Sequence, residues 1–353
     1  MASMQAALLD RFLRLMNLTN VSPGVAPKTV RDRLNTLCAR VAGEVHGVDI
    51  EKLQVGDMAA EWIKPSKPDK DQLTRTSGPK RTILYLHGGG YVIGSIETHR
   101  ATVARLALAS QADALIVDYR LAPENPFPAA VEDAEIAYQW LLDQGVAPNE
   151  ICVAGDSAGG GLSLALLMQL RDKRRPMPAA AVLLSPWTDL AFSGMSHLTH
   201  KSADPIIALE GAMLAARHYL GEANPTDPLA SPLYGNFKGL PPLLIHVGSN
   251  EILLDDSTRV AEKARAAGVD VTFKLWPDLP HVFHGFQFLP EAQEATDEIG
   301  AYVRETVPAA AKMELLTQRS GANTWQGVIS RLQRFFWQLP GKLGFLRPPS
   351  RTM

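Results

Sequence analysis

Several protein classes are excluded by what this sequence lacks. Only two cysteines, Cys38 and Cys152, occur in 353 residues. Two thiols cannot make a disulfide framework, and Cys152 sits in an apolar run as a small core residue. Charged residues are 20% of the chain and the formal net charge is -2, which argues against a nucleic-acid partner or any strong electrostatic preference. No apolar run reaches the length of a membrane-spanning helix. The opening MASMQAALLDRFLRLM is broken by Asp10, Arg11 and Arg14, so it lacks a signal-peptide core, and a cytoplasmic location is the default expectation. No Cys/His cluster with metal-ligand spacing is present; neither a metal nor an organic cofactor is expected.

What is present is the composition of a globular protein, 46% hydrophobic. Strand-like runs fall at Thr82–Leu86, Ala114–Asp118, Ile151–Ala154, Ala180–Leu184, Leu243–Val247 and Val271–Trp276. Helix-like stretches separate most of them, among them Thr102–Ser110, Ala129–Gln144, Leu162–Leu170 and Asp256–Ala267. Strands alternating with helices predict an α/β fold: a mostly parallel sheet covered by helices on both faces. Two regions break the rhythm. Residues 1–50 read as mostly helical, and residues 190–225 carry helix signals at Ala208–Leu220 without a strand. Pro65 to Gly78 reads as a polar surface loop.

The stretch ICVAGDSAGGGLSLALL, Ile151 to Leu167, sets Ser157 between a strand and a helix. Gly155-Asp156-Ser157-Ala158-Gly159 fits G-x-S-x-G, a turn so sharp that bulk two residues either side of the serine would clash. Ser157 is expected to be exposed at that turn. The bland alternative is a glycine-rich strand–helix connection with a bystander serine. A second signal follows the Thr82–Leu86 strand, where His87-Gly88-Gly89-Gly90 exposes backbone N–H groups. In a parallel sheet both sites lie at the carboxyl ends of strands. Acyl transfer needs such donors where a carbonyl oxygen becomes negative, and the Ala158 N–H opens the next helix.

HGGGYVIGS, DYRLAPENPFPAA, GDSAGGG, SPWTDL and GVDVTFKLWPDLPHVFHGF occur in that order, and the chain resembles the hormone-sensitive-lipase group of α/β-hydrolases over roughly residues 40–305. That resemblance implies an α/β-hydrolase core over 51–311 with Ser157 as nucleophile. It implies an oxyanion hole of Gly88, Gly89 and Ala158, and a helical cap from residues 1–50 and about 190–225. Asp118–Glu124 reads as loop support.

The serine needs a histidine base oriented by a carboxylate, in the chain order serine, acid, histidine. Where the family shows D-x-L-x-D, this chain reads Glu251-Ile252-Leu253-Leu254-Asp255. Glu251 takes the catalytic place and Asp255 the second acidic one; Asp255 and Asp256 also read as charges at a helix N-terminus. The family text "HGF" occurs at His284, but the lead-in Trp276-Pro277-Asp278-Leu279-Pro280 ends on His281, which lies 30 residues after Glu251. That separation makes His281 the base and His284 a neighbour or pocket-wall residue. His46, His99, His197, His200, His218 and His246 read as structural or surface histidines.

The function so implied is hydrolysis of a small carboxylic ester, of short to medium acyl chain, through an acyl-enzyme. An amidase or peptidase on the same triad is the enzyme alternative. A non-catalytic small-molecule receptor, like the gibberellin receptors, is the alternative of another class. Beyond the core, residues 312–353 carry Lys312, Arg319, Arg331, Arg334, Lys342, Arg347 and Arg351 against the single acid Glu314. Val328, Leu332, Phe335, Phe336 and Leu339 interleave at helical spacing. A basic amphipathic helix of this kind lies on a membrane surface, or docks on its own protein or a second subunit as a homodimer contact.

Overall fold

The computed structural model describes residues 2–16, 27–41, 46–66 and 81–307. Two compact units divide the chain, Met1–Ala309 and Ala310–Met353. The second unit, and with it the basic tail, lies outside the described residues, as does most of the loop from Pro65 to Gly78.

Helices α1 (Met4–Met16) and α2 (Pro27–Val41) precede a strand pair, β1 (Val48–Val55) and β2 (Met58–Pro65). Then β3 (Thr82–Leu86), α3 (Ile96–Ser110), β4 (Asp113–Val117), α4 (Ala129–Asp143), β5 (Ile151–Asp156), α5 (Ala158–Asp172) and β6 (Ala180–Leu184) alternate. After β6 come α6 (Ser196–Thr199) and α7 (Leu209–Leu220), then β7 (Leu243–Gly248), α8 (Leu254–Ala266), β8 (Val271–Trp276) and α9 (Pro290–Thr306). The strands form one sheet in the order β1-β2-β4-β3-β5-β6-β7-β8. From β4 to β8 all pairs are parallel, while β2 runs antiparallel to β1 and β4.

Strands β3, β5, β6 and β7 are buried along their whole length, which is why they read as unbroken apolar runs. The two-residue alternation still operates inside them. Leu84, Leu86, Ile151 and Val153 join the core on one face, and Ile83, Tyr85, Cys152 and Ala154 join the core on the other.

Two parts of the N-terminal region differ from the sequence reading. β1 begins at Val48, inside the stretch expected to be helical, and its residues are mostly exposed, so little hydrophobic pattern marks it. Its register with β2, from Val48↔Pro65 to Val55↔Met58, closes on the two-residue turn Gly56-Asp57, where Gly56 has φ 58°. In α1 the buried face is Ala6, Leu9 and Leu13, packed with Trp276, Leu279 and Phe283, whereas Leu8, Phe12 and Leu15 are exposed. Leu8, Phe12 and Leu15 also recur at helical spacing, but the packing buries the other stripe of the helix.

Candidate active site

Every parallel strand concerned delivers its residue at its carboxyl end. β3 leads into His87-Gly88-Gly89-Gly90, β5 into Ser157, β6 into Ser185, β7 into the Glu251 loop and β8 into the His281 loop. Register keeps these ends level: Leu86 faces Gly155, Asp156 faces Leu184, and Gly248 faces Trp276.

Ser157 stands between β5 and α5 with φ 51° and ψ -122°, a strained conformation for a residue with a side chain. The surroundings enforce it. A Cβ on Gly155 would sit 2.3 Å from the Gly159 carbonyl oxygen, and one on Gly159 would sit 1.9 Å from the Leu86 oxygen. The turn can therefore close only with glycine at both places. The Ser157 N–H donates to the Leu184 carbonyl at 2.8 Å, and the Ser157 carbonyl accepts from Gly160, Gly161 and Trp187. Ser157 is only 9% exposed, so the expectation of an exposed serine is corrected: the turn is buried.

Glu251 is fully buried, and each of its carboxylate oxygens has its own task. Oε1 accepts the Gly248 N–H at 2.7 Å and the Ser185 hydroxyl at 2.8 Å, while Oε2 lies 2.7 Å from His281 Nδ1. A carboxylate only accepts, so Nδ1 carries the proton and Nε2 is left with the lone pair a base needs. The two loops are tied together: Ser249 N–H donates to Trp276, Asn250 N–H to Leu279, and Asp278 N–H to the Ser249 hydroxyl. Burial pulls the His281 imidazole down, but Glu251, Asp204 and Asp156 outweigh it and hold it above the ordinary histidine value. Among the described residues no hydrogen bond joins Ser157 Oγ to His281.

The competing candidates are placed elsewhere. Asp255 accepts the Ser196 N–H at 2.9 Å and so caps α6. His284 lies in a buried pair with His246, 3.3 Å apart, and burial drives its imidazole well below the ordinary value. His46 is exposed and His200 and His218 half-buried, but His99 and His197 each lie beside a buried carboxylate.

The glycine loop departs from its expected use at one residue. The Gly88 N–H donates to Asp156 Oδ1 at 3.0 Å, so it is already occupied and is not free for an oxyanion. Gly89, Gly90 and Ala158 have N–H groups with no acceptor among the described residues. Ser185, Asp204 and Asp156 escaped the sequence reading. Asp204 accepts the Ile206, Ile207 and Ile252 N–H groups, and so pins the residue after Glu251. Ser185 stood inside SPWTDL, where its polarity at a strand end was a usable signal; nothing local marked Asp204. Tyr91 stacks on Tyr219 of α7 with centroids 3.7 Å apart, so residues of the 190–225 stretch lie directly against the glycine loop. Arg14 of α1 donates to the Ser202 and Ala203 carbonyls. Among the described residues no group of three or more His, Cys, Asp or Glu is placed to hold a metal ion.

The family profile described as alpha/beta hydrolase fold matches residues 83–285. An esterase crystal structure assigned to the bacterial hormone-sensitive lipase family superposes with TM-score 0.79 at 42% identity, covering 87% of this chain and 100% of that one. The chain belongs to that family. This hydrolase is also 46% identical over 251 residues to an acetyl-hydrolase of Streptomyces hygroscopicus, covering 71% of this chain and 81% of the relative. An esterase of Acinetobacter venetianus is 37% identical over 280 residues, 79% of this chain and 89% of its own. No described helix of the hydrolase is long and apolar enough to cross a membrane.

Proposed function

We propose that Ser157, His281 and Glu251 carry out ester hydrolysis in this chain, with Gly89, Gly90 and Ala158 N–H groups receiving the oxyanion. The chain is a carboxylic-ester hydrolase of the hormone-sensitive-lipase family. The observation that carries the residue assignment is the 2.7 Å contact between His281 Nδ1 and Glu251 Oε2, at the same carboxyl edge of the sheet as a serine held at positive φ. Neutral His281 removes the Ser157 proton as Oγ attacks the ester carbonyl. The tetrahedral oxyanion is held by backbone N–H groups, and His281 then passes the proton to the departing alcohol. Water, deprotonated by the same imidazole, attacks the acyl-enzyme, and His281 returns that proton to the departing Ser157 Oγ as the acid is released. Gly90 replaces Gly88 in the oxyanion hole because the Gly88 N–H is bound to Asp156.

Helices α1 and α2 and residues 190–225 roof this site as its cap, a reading supported by the Tyr91–Tyr219 stack and the Arg14 contacts. Space beside the loop is already narrow: a Cβ on Gly90 would lie 3.3 Å from Ala215 and 3.7 Å from Trp187. Short to medium acyl groups are the substrates the family resemblance implies. The basic 312–353 segment contacts a membrane surface or a second copy, and the enzyme works in the cytoplasm; both rest on sequence alone. The test is hydrolysis of p-nitrophenyl acetate and butyrate by the parent and by Ser157→Ala. The variant should lose several orders of magnitude in turnover; activity within about tenfold of the parent overturns the assignment.

A further inference from the structure

We infer that Asp156, the residue before the nucleophile, is a positioning residue that clamps the glycine loop and so aims its N–H groups at the oxyanion. This rests on the reading of Gly89, Gly90 and Ala158 as oxyanion donors. The Asp156 side chain is buried between the ends of β3 and β5, 3% exposed. Its Oδ1 accepts the Gly88 N–H at 3.0 Å and the Tyr85 hydroxyl at 2.8 Å, and its Oδ2 lies 3.4 Å from His99 Nε2. The Gly88 carbonyl is held as well, 2.8 Å from His87 Nδ1. Gly88 is thus gripped at both its donor and its acceptor. Contact is close enough that a Cβ on Gly88 would fall 2.1 Å from Asp156 Oδ2.

The consequence follows from chain connectivity. Ser157 and the clamp are adjacent residues on one strained turn, so the separation between nucleophile and oxyanion donors is set by a single rigid unit. An error of about 1 Å in that separation costs on the order of a hundredfold in rate. The charge is also dealt with. A bare anion one residue from the nucleophile would oppose the negative charge that develops on the substrate oxygen. Burial pushes the carboxyl up, but His99, Tyr85 and His87 outweigh it and hold it ionised, at about 2. His99, lifted above its ordinary value by Asp156 against the effect of burial, faces that carboxylate across 3.4 Å.

The experiment compares the parent, Asp156→Ala, Asp156→Asn and Tyr85→Phe, each normalised by titrating Ser157 with a p-nitrophenyl alkylphosphonate. Two quantities are read: kcat and KM on p-nitrophenyl butyrate, and the inhibition constant of an alkyl trifluoromethyl ketone, whose adduct with Ser157 bears an oxyanion. Asp156→Ala should lower kcat about a hundredfold with KM within about threefold, and weaken the ketone by about the same factor as kcat. Asp156→Asn keeps an acceptor for Gly88 and should stay within about tenfold of the parent. Tyr85→Phe should show the same paired loss at about three- to tenfold. Ketone affinity unchanged within about twofold in titrated Asp156→Ala overturns the inference. If that variant does not fold, the same result in Tyr85→Phe overturns it. Failure of the phosphonate to label Ser157 in the parent would instead overturn the triad reading, so the two outcomes are distinct.

Discussion

Ser185 and Glu251 are 66 residues apart in sequence, and the Ser185 hydroxyl donates to Glu251 Oε1 at 2.8 Å. The same hydroxyl accepts the Val282 N–H at 3.3 Å. Val282 follows His281 and sits at φ 48°, a costly conformation for a β-branched residue, and Ser185 itself is at φ 47°. One hydroxyl therefore joins the acid to the loop that carries the base.

Ser185→Ala should reduce kcat while leaving KM nearly unchanged. A hydrogen bond to a charged group contributes roughly 1.5–3 kcal/mol, and about 1.4 kcal/mol is tenfold in rate, so a loss of about ten- to a hundredfold is expected. Steady-state kinetics on p-nitrophenyl butyrate check it. A kcat within twofold of the parent would show that Ser185 does not orient the acid.

Substitutions at the paired candidates should separate sharply. Glu251→Gln and His281→Ala should each lower turnover by about a thousandfold or more. Asp255→Asn keeps an acceptor for the Ser196 N–H and removes only a negative charge from the first turn of α8, so it should cost at most about 1 kcal/mol of stability with near-parental turnover. His284→Ala leaves a hole beside His246 and Phe283, so its effect should appear as a lower melting temperature. Turnover and thermal melts on the four variants decide; full activity in Glu251→Gln would contradict the assignment.

Asp204→Asn should move the acid limb of the kcat/KM profile to lower pH. His281 acts as a base only when neutral, so activity rises as pH climbs through its pKa. Burial lowers that pKa; Glu251, Asp204 and Asp156 raise it. Asparagine keeps one of the two acceptor oxygens, so either the Ile252 N–H or the Ile206 and Ile207 N–H groups lose their partner, and it removes one of the negative charges, so the imidazole becomes neutral at lower pH. A pH–rate profile in constant ionic strength tests the direction, and an upward or absent shift would refute it.

Truncation after Lys312 should leave hydrolysis of a soluble short ester intact, because none of the candidate site residues lies beyond His281. For the full chain, binding to anionic liposomes at low salt that the truncation abolishes would support membrane contact. A change from dimer to monomer on truncation would support subunit contact instead. Loss of all activity on truncation would show that the tail completes the fold.

The elements that position the chemistry were legible because strands buried on both faces must be apolar throughout and helices must show one apolar stripe. That logic located β3 to β8 and their helices to within a few residues, helix starts excepted: α3 begins at Ile96 where the pattern suggested Thr102, since Ser95 caps it without any apolar cue. It failed for β1 and β2, whose largely exposed β1 leaves no periodic signal. Ser157 and the glycines around it were equally legible, because a sharp turn restricts residue type locally. The choice of Glu251 over Asp255, and of His281 over His284, rested on the family pattern and its spacing; both members of each pair are chemically competent. In the tertiary structure the two carboxylates point differently: one faces an imidazole across 2.7 Å, the other caps a helix. It alone revealed Ser185, Asp204 and the bond between Asp156 and Gly88. These contacts join residues 66, 48 and 68 positions apart. Local sequence carries no record of such pairings, because they exist only once the parallel sheet has brought its strand ends together.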